Sequence, residues 1–144
     1  MIKKKIAILG STGSIGKSAL QIFQANKNNF DIILLSANSN YKEIKKQLKK
    51  FKPKYFIINN QIVYHKILKK NKFKKTVILN SFLKISKKVK FDITISAIVG
   101  IAGLEPTIQF TRISKKVLLA NKESIICGWH LIRNISKKNK TIMV

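Results

Sequence analysis

Gly10-Ser11-Thr12-Gly13-Ser14-Ile15-Gly16 gathers three glycines and three hydroxyl side chains into seven residues. Where a strand turns into a helix, a first glycine permits the tight bend. A second lets the backbone approach a pyrophosphate, and a third lets the helix pack against the strand. Backbone N–H groups at the helix start then point at an anion that the helix dipole also favours. Thr12 and Ser14 add hydroxyl donors. The spacing is G-x-x-G-x-x-G, in place of the commoner G-x-G-x-x-G, and an ordinary glycine-rich turn has the same composition. The apolar run before it, Ile6-Ala7-Ile8-Leu9, and the amphipathic stretch after it favour a dinucleotide site.

Two further polar groups could do chemistry. In an NAD site, an acid about 20 residues past the glycines binds the ribose 2′-OH. Here that place is taken by Ser36-Ala37-Asn38-Ser39-Asn40, with Lys42 and Lys45 close behind. Small polar donors next to positive charge suit a 2′-phosphate, which favours NADPH over NADH; a loop that caps the next helix has the same make-up. Asn121-Lys122-Glu123 directly follows the apolar Leu118-Leu119-Ala120. Asn121 can donate and accept hydrogen bonds, Lys122 can hold an anionic or carbonyl oxygen, and Glu123 can accept from a ribose or nicotinamide group. The same three residues also read as a capped helix start, with Glu123 favoured by the dipole.

Other candidates are weaker. Tyr41 and Lys45 have the Tyr-x-x-x-Lys spacing of some short-chain oxidoreductases. They lie too early in the chain for that role, and Tyr41 reads as a packing residue. His65 and His130 have no visible partners. The acids Asp31, Glu43, Asp92, Glu105 and Glu123 show no metal-ligand spacing, so no metal site is expected among these residues. Cys127 has no evident base and is expected to be buried and inert.

These residues need strands and helices to position them. Strands are expected at Lys4–Leu9, Asp31–Ser36, Tyr55–Ile58, Thr76–Leu79, Asp92–Ser96, Val117–Ala120 and from Thr141 onward. Their near-continuous apolar runs suit parallel strands covered on both faces. A helix from Ile15 would bury Ala19, Ile22 and Phe23. Others are expected at Tyr41–Phe51, with Tyr41, Ile44, Leu48 and Phe51 on one face, and from Gln61 to about Asn71. A short helix carries Phe82, Ile85, Ser86 and Val89. Another runs to about Ile113 with Pro106 in its first turn. The last would bury Ile125, Trp129, Ile132 and Ser136. Alternating strands and helices predict an α/β, Rossmann-like, doubly wound parallel sheet with helices on both faces. The glycine turn, the 97–107 loop and Asn121 would then share the strands' carboxyl edge, where such sheets bind ligands.

The chain has 144 residues, a size that suggests one domain. Its 45% hydrophobic content supports a core and argues against a disordered chain. The net charge of +25 raises nucleic acid, an anionic membrane surface or a phosphorylated ligand as partners. The 30 basic residues include only two arginines, Arg112 and Arg133, and the lysines are spread throughout. Lys, Ile and Asn are abundant together, as AT-rich coding would produce. Most lysines therefore read as solvated surface, with non-specific nucleic-acid binding only at low salt. A single cysteine allows no internal disulfide. No run is long enough to span a membrane and no secretory signal is visible, so a cytoplasmic location is expected.

Three segments together resemble 1-deoxy-D-xylulose 5-phosphate reductoisomerase. They are Gly10–Gly16, the Ala-Ile-Val-Gly-x-Ala-Gly-Leu-x-Pro-Thr stretch from Ala97 to Thr107, and Leu118-Leu-Ala-Asn-Lys-Glu-Ser124, in the family's order. The resemblance spans essentially the whole chain and implies that residues 1–144 are an N-terminal NADPH-binding domain. It implies an NADPH-dependent oxidoreductase of non-mevalonate isoprenoid biosynthesis. That enzyme isomerises and reduces 1-deoxy-D-xylulose 5-phosphate to 2-C-methyl-D-erythritol 4-phosphate, uses Mg²⁺ or Mn²⁺, and is a homodimer. By the same resemblance Thr12, Gly13, Ser14 and Ile15 would hold the pyrophosphate and adjoining ribose. Ser39 and Asn40 would lie by the 2′-phosphate, Asn121 and Glu123 would bind cofactor, and Lys122 would contact the phosphorylated sugar. The chain departs from the family at Asn38, where glycine is usual. The family's metal-binding Asp-Ser-Glu would follow Val144 and is not in this sequence, nor are the substrate lid and C-terminal helices. The chain is thus expected to bind NADPH without turning over alone. A non-catalytic dinucleotide-binding module or a truncated remnant is the alternative. A basic nucleic-acid-binding protein and a semialdehyde dehydrogenase are weaker readings, the last needing a nucleophilic cysteine that Cys127 does not resemble.

Overall fold

The computed structural model describes residues 1–70 and 72–144. Its strands are β1 (Lys4–Leu9), β2 (Phe30–Ala37), β3 (Tyr55–Ile58), β4 (Val77–Leu79), β5 (Phe91–Ser96), β6 (Ser114–Leu119) and β7 (Ile142–Met143). Its helices are α1 (Ser14–Ala25), α2 (Tyr41–Phe51), α3 (Gln61–Lys69), α4 (Leu104–Thr111) and α5 (Lys122–Asn139). The strands form one sheet in the order β4-β3-β2-β1-β5-β6-β7, and every pairing is parallel. The chain starts in the middle, winds out through β4 to one edge, then returns to the far side of β1 and winds outward again. The expected Rossmann-like, doubly wound α/β sheet is the observed one.

Alternation along β1 builds both layers. Ile6 and Ile8 join Leu20 and Phe23 of α1, Ile44 and Leu48 of α2 and Ile67 of α3 on one face. Ala7 and Leu9 join Phe82, Ile85, Phe91 and Phe110 on the other. Phe56, Phe91 and Phe110 are fully buried, each worth about 2–3 kcal/mol of transfer from water. Right-handed crossovers require α1–α3 and α4–α5 to cover opposite faces. α2 ends at Lys52, which adopts a left-handed φ of 46°; Pro53 next to it cannot continue a helix.

Several expectations need correction. Ile22 is exposed, because α1 buries Gly16, Leu20 and Phe23. Ile125 and Trp129 are exposed over about two fifths of their surface, because α5 turns Ser124, Gly128, Ile132, Ile135 and Ser136 inward. A side chain at Gly128 would collide with Leu104, so α5 meets α4 through its small residues. Cys127 is exposed on the outer side of α5, not buried. The short helix expected across Phe82–Val89 is a single 3-10 turn, Phe82–Lys84. β6 begins earlier than expected, at Ser114. The Thr94 and Ser114 hydroxyls pair at 2.7 Å between β5 and the start of β6. α3 ends at Lys69, and Asn71, the expected end of that helix, lies outside the described residues.

Candidate functional site

β1 and β5 are adjacent, and the connections that leave them run in opposite directions across the sheet. That leaves a crevice beyond their carboxyl ends. A cleft of about 350 Å³ lies there. Gly10, Thr12 and Gly13 form one wall, Ala97, Ile98 and Val99 another, and Asn38 and Asn59 close the side toward β2 and β3.

The glycine turn is fixed from below. Gly10 has φ +82°, and a side chain there would meet the Ala97 carbonyl at 2.7 Å. The Ser36 carbonyl, at the end of β2, accepts from the N–H groups of Gly10 and Ser11. Gly16 lies against the backbone of Gly10 and Ser11, so α1 starts directly on the turn. These are the bend and packing roles that the glycine spacing predicts. Gly13 differs: it is exposed and is the N-cap of α1.

At this edge α2, α3 and α5 are each capped by an asparagine, through Asn40, Asn60 and Asn121. α2 and α5 also carry an acid in the first turn, Glu43 and Glu123. α1 has a glycine at its cap and no acid in its first turn. α4 is also preceded by a glycine, Gly103, with no side-chain cap, but it carries Glu105 in its first turn. α1 thus opens on the crevice with neither a capping side chain nor a first-turn acid. A pyrophosphate fits this arrangement, because it would supply the missing acceptors.

The residues singled out in the sequence divide into groups. Thr12 and Gly13 line the cleft, and Ser14 and Ile15 form the exposed first turn of α1 beside it. Ser39 and Asn40 are exposed on the loop after β2, next to Asn38. Asn40 Oδ1 accepts the Glu43 N–H at 3.1 Å, so this loop does cap the next helix. Asn121 is 2% exposed. Its Oδ1 accepts from the Ser124 N–H, and its Nδ2 donates to the carbonyls of Ile98 and Gly100. It therefore caps α5 and also holds the loop that walls the cleft. Gly103 gives it room, since a side chain there would overlap its amide. Lys122 is exposed and Glu123 half-buried in the first turn of α5.

Tyr41 packs against the core on the α1–α3 face, as its helical spacing predicts. The Lys66 ammonium sits 4.1 Å from the centre of its ring. Lys70 beside the phenol, with Lys45 and Lys66, holds its pKa below the ordinary value. His65 and His130 are both exposed. Among the described residues, no three of His, Cys, Asp and Glu come together as metal ligands. The side chains present here do not fit a divalent metal. No helix among them is long and apolar enough to cross a membrane.

Two groups escaped the sequence reading. Asn59, at the end of β3, lines the cleft beside Asn38. Gln47, on α2, is buried against the glycine turn. The available signal for Gln47 was a polar residue within the apolar stripe Ile44, Leu48, Phe51.

Fold and cleft define a Rossmann-like α/β protein with its crevice at the switch between β1 and β5. The chain belongs to the 1-deoxy-D-xylulose 5-phosphate reductoisomerase family, whose model matches residues 6–128. The reductoisomerase of Pelagibacter ubique is 45% identical over 148 residues, a match covering 98% of this chain and 37% of that protein. The Zymomonas mobilis reductoisomerase, solved in complex with NADPH, superposes with a TM-score of 0.90 at 27% identity, over 99% of this chain and 38% of that one. A reductoisomerase solved with NADPH, fosmidomycin and magnesium superposes with a TM-score of 0.88 at 30% identity, over 97% and 35%. The chain thus spans little more than a third of the length of the relatives it matches.

Proposed function

We propose that residues 1–144 are the NADPH-binding domain of a 1-deoxy-D-xylulose 5-phosphate reductoisomerase. The observation that carries this reading is the uncapped start of α1, which opens on the cleft at the β1/β5 switch. Thr12, Gly13, Ser14 and Ile15 hold the pyrophosphate and its ribose through backbone N–H groups and hydroxyls. Ser39 and Asn40 take the 2′-phosphate, with Lys42 and Lys45 supplying positive charge. Glu123 accepts from the cofactor. Asn121 acts with it by holding the 98–100 backbone, because both of its amide protons are already donated there. Lys122, exposed at the same edge, contacts the phosphorylated sugar. Bound NADPH supplies the hydride that reduces the rearranged substrate, and this chain's part is to bind and orient it. The divalent metal of the reaction belongs to ligands outside these residues. The whole enzyme is a cytoplasmic homodimer that binds no specific nucleic acid and no membrane.

Titration of the purified chain with NADPH and NADH, followed by nicotinamide fluorescence, tests the reading. Tighter binding of NADPH is expected, and no NADPH oxidation when substrate and Mg²⁺ are added to these 144 residues alone. Equal affinity for the two nucleotides would refute the 2′-phosphate assignment. Metal-dependent turnover by the chain alone would refute the division of labour.

A further inference from the structure

α2 carries a polar residue in its buried stripe. Ile44, Gln47, Leu48 and Phe51 follow the i, i+3, i+4, i+7 spacing of one helix face, yet Gln47 is only 1% exposed. A buried amide is tolerated where its groups are bonded. Gln47 Nε2 donates to the Ser11 carbonyl at 3.0 Å, and its Oε1 accepts from Ser11 Oγ at 2.6 Å. Ser11 is fully buried inside the glycine turn. One helical turn earlier, Glu43 receives a longer bond from Gln47 Nε2, 3.4 Å, and gives its own N–H to Asn40 Oδ1. Glu43 also lies 3.9 Å from the ammonium of Lys17 on α1. A continuous path thus runs from Ser11 through Gln47 and Glu43 to Asn40. It joins the turn beneath the pyrophosphate to the loop assigned to the 2′-phosphate.

We propose that Gln47 is a positioning residue that sets the spacing between these two loops, and that it thereby strengthens the preference for a dinucleotide with a 2′-phosphate. The inference rests on the NADPH reading above. Its logic is one of preorganisation. A ligand anchored at both loops must match their separation, so it benefits when that separation is held before binding. A ligand anchored at the turn alone has no such requirement. Gln47 lies behind the turn with its amide directed at protein groups, so it acts through the loops.

The test compares wild type, Gln47→Met and Ser11→Ala by titration with NADPH and NADH, alongside thermal unfolding. Methionine keeps the length of the side chain and removes both bonds to Ser11. Gln47→Met is expected to weaken NADPH binding about tenfold, as loss of buried hydrogen bonds implies, and NADH binding by less than about threefold. Ser11→Ala removes only the hydroxyl end of the link. It should weaken NADPH by about threefold with the same sparing of NADH. If Gln47→Met does not fold, the Ser11→Ala result decides alone. Equal losses for the two nucleotides, or no loss for either, would overturn the role of Gln47. A wild-type chain that does not favour NADPH would instead overturn the cofactor reading, and this inference with it.

Discussion

Gly13 and Gly16 stand three residues apart and differ in what a methyl group would meet. At Gly16 it would strike the Gly10 carbonyl oxygen and come within 2.7 Å of Ser11 Cα. At Gly13 the nearest atom is 3.6 Å away, an ordinary contact. Gly16→Ala must therefore push α1 off the turn, at a cost of about 1–3 kcal/mol. Gly13→Ala should change stability by no more than about 1 kcal/mol, the range for a change at an N-cap. Its methyl group would still occupy the open approach to α1 and weaken NADPH binding. Urea unfolding paired with NADPH titration separates the two outcomes. A Gly13→Ala protein that binds NADPH normally would remove Gly13 from the site. The bend at Gly10 and the packing at Gly16 were legible in the spacing, because each needs a missing side chain at a set point of the turn. Gln47 was not, because its role depends on a partner 36 residues away. The burial expected of Cys127 failed for a related reason: apolar character does not say which side of a helix faces inward.

Three asparagines cap helices at the ligand edge, but only Asn121 also ties down another segment. Asn40 and Asn60 each accept one N–H from their own helix. Asn121 does the same for α5 and adds two donated bonds to the carbonyls of Ile98 and Gly100. Asn40→Ala should cost about 1 kcal/mol, the usual loss of a cap. Asn121→Ala should cost about 2–4 kcal/mol, since it also strips donors from partly buried carbonyls. Comparing their urea midpoints at unchanged slope checks this, and equal losses would mean that water replaces the amide at the 98–100 loop. The order of elements was legible from alternating apolar runs and periodic stretches. The buried faces of α1 and α5 were legible in part, through Phe23, Ile132 and Ser136. Counting large apolar residues also selected Ile22, Ile125 and Trp129, and it missed Gly16, Ser124 and Gly128, which turn inward. Small residues allow close backbone approach, and hydropathy does not register that.

Over the whole molecule, 30 basic residues face five acids. Among the described residues, two of those acids form ion pairs, Lys17–Glu43 and Lys115–Asp92. Such an excess opposes compaction by self-repulsion, so each carboxylate held in place matters more than its count suggests. Asp92 is the better placed of the two. Its Oδ1 lies 2.7 Å from the Lys115 ammonium, and its Oδ2 accepts the Lys5 N–H at 2.8 Å, which joins β5 to the starts of β6 and β1. Lys115, and next the Lys5 N–H, hold the Asp92 pKa below the ordinary carboxylate value. Since the folded pKa is the lower one, this stabilisation is present above the unfolded value of about 3.9 and is lost as pH falls through the folded pKa. Asp92→Asn should therefore be less stable than wild type at pH 7 by about 1 kcal/mol. The gap should persist down to about pH 4 and close below it. Because Lys115 is largely exposed, added salt should screen the ion pair more than the charge-assisted part of the bond from the Lys5 N–H. The gap at pH 7 should then narrow in salt without vanishing. Urea unfolding of both proteins at pH 7, 4 and 3, with and without 0.5 M NaCl, measures each part. A gap that stayed constant across that pH range would show that the carboxylate charge contributes nothing to holding the three strands together.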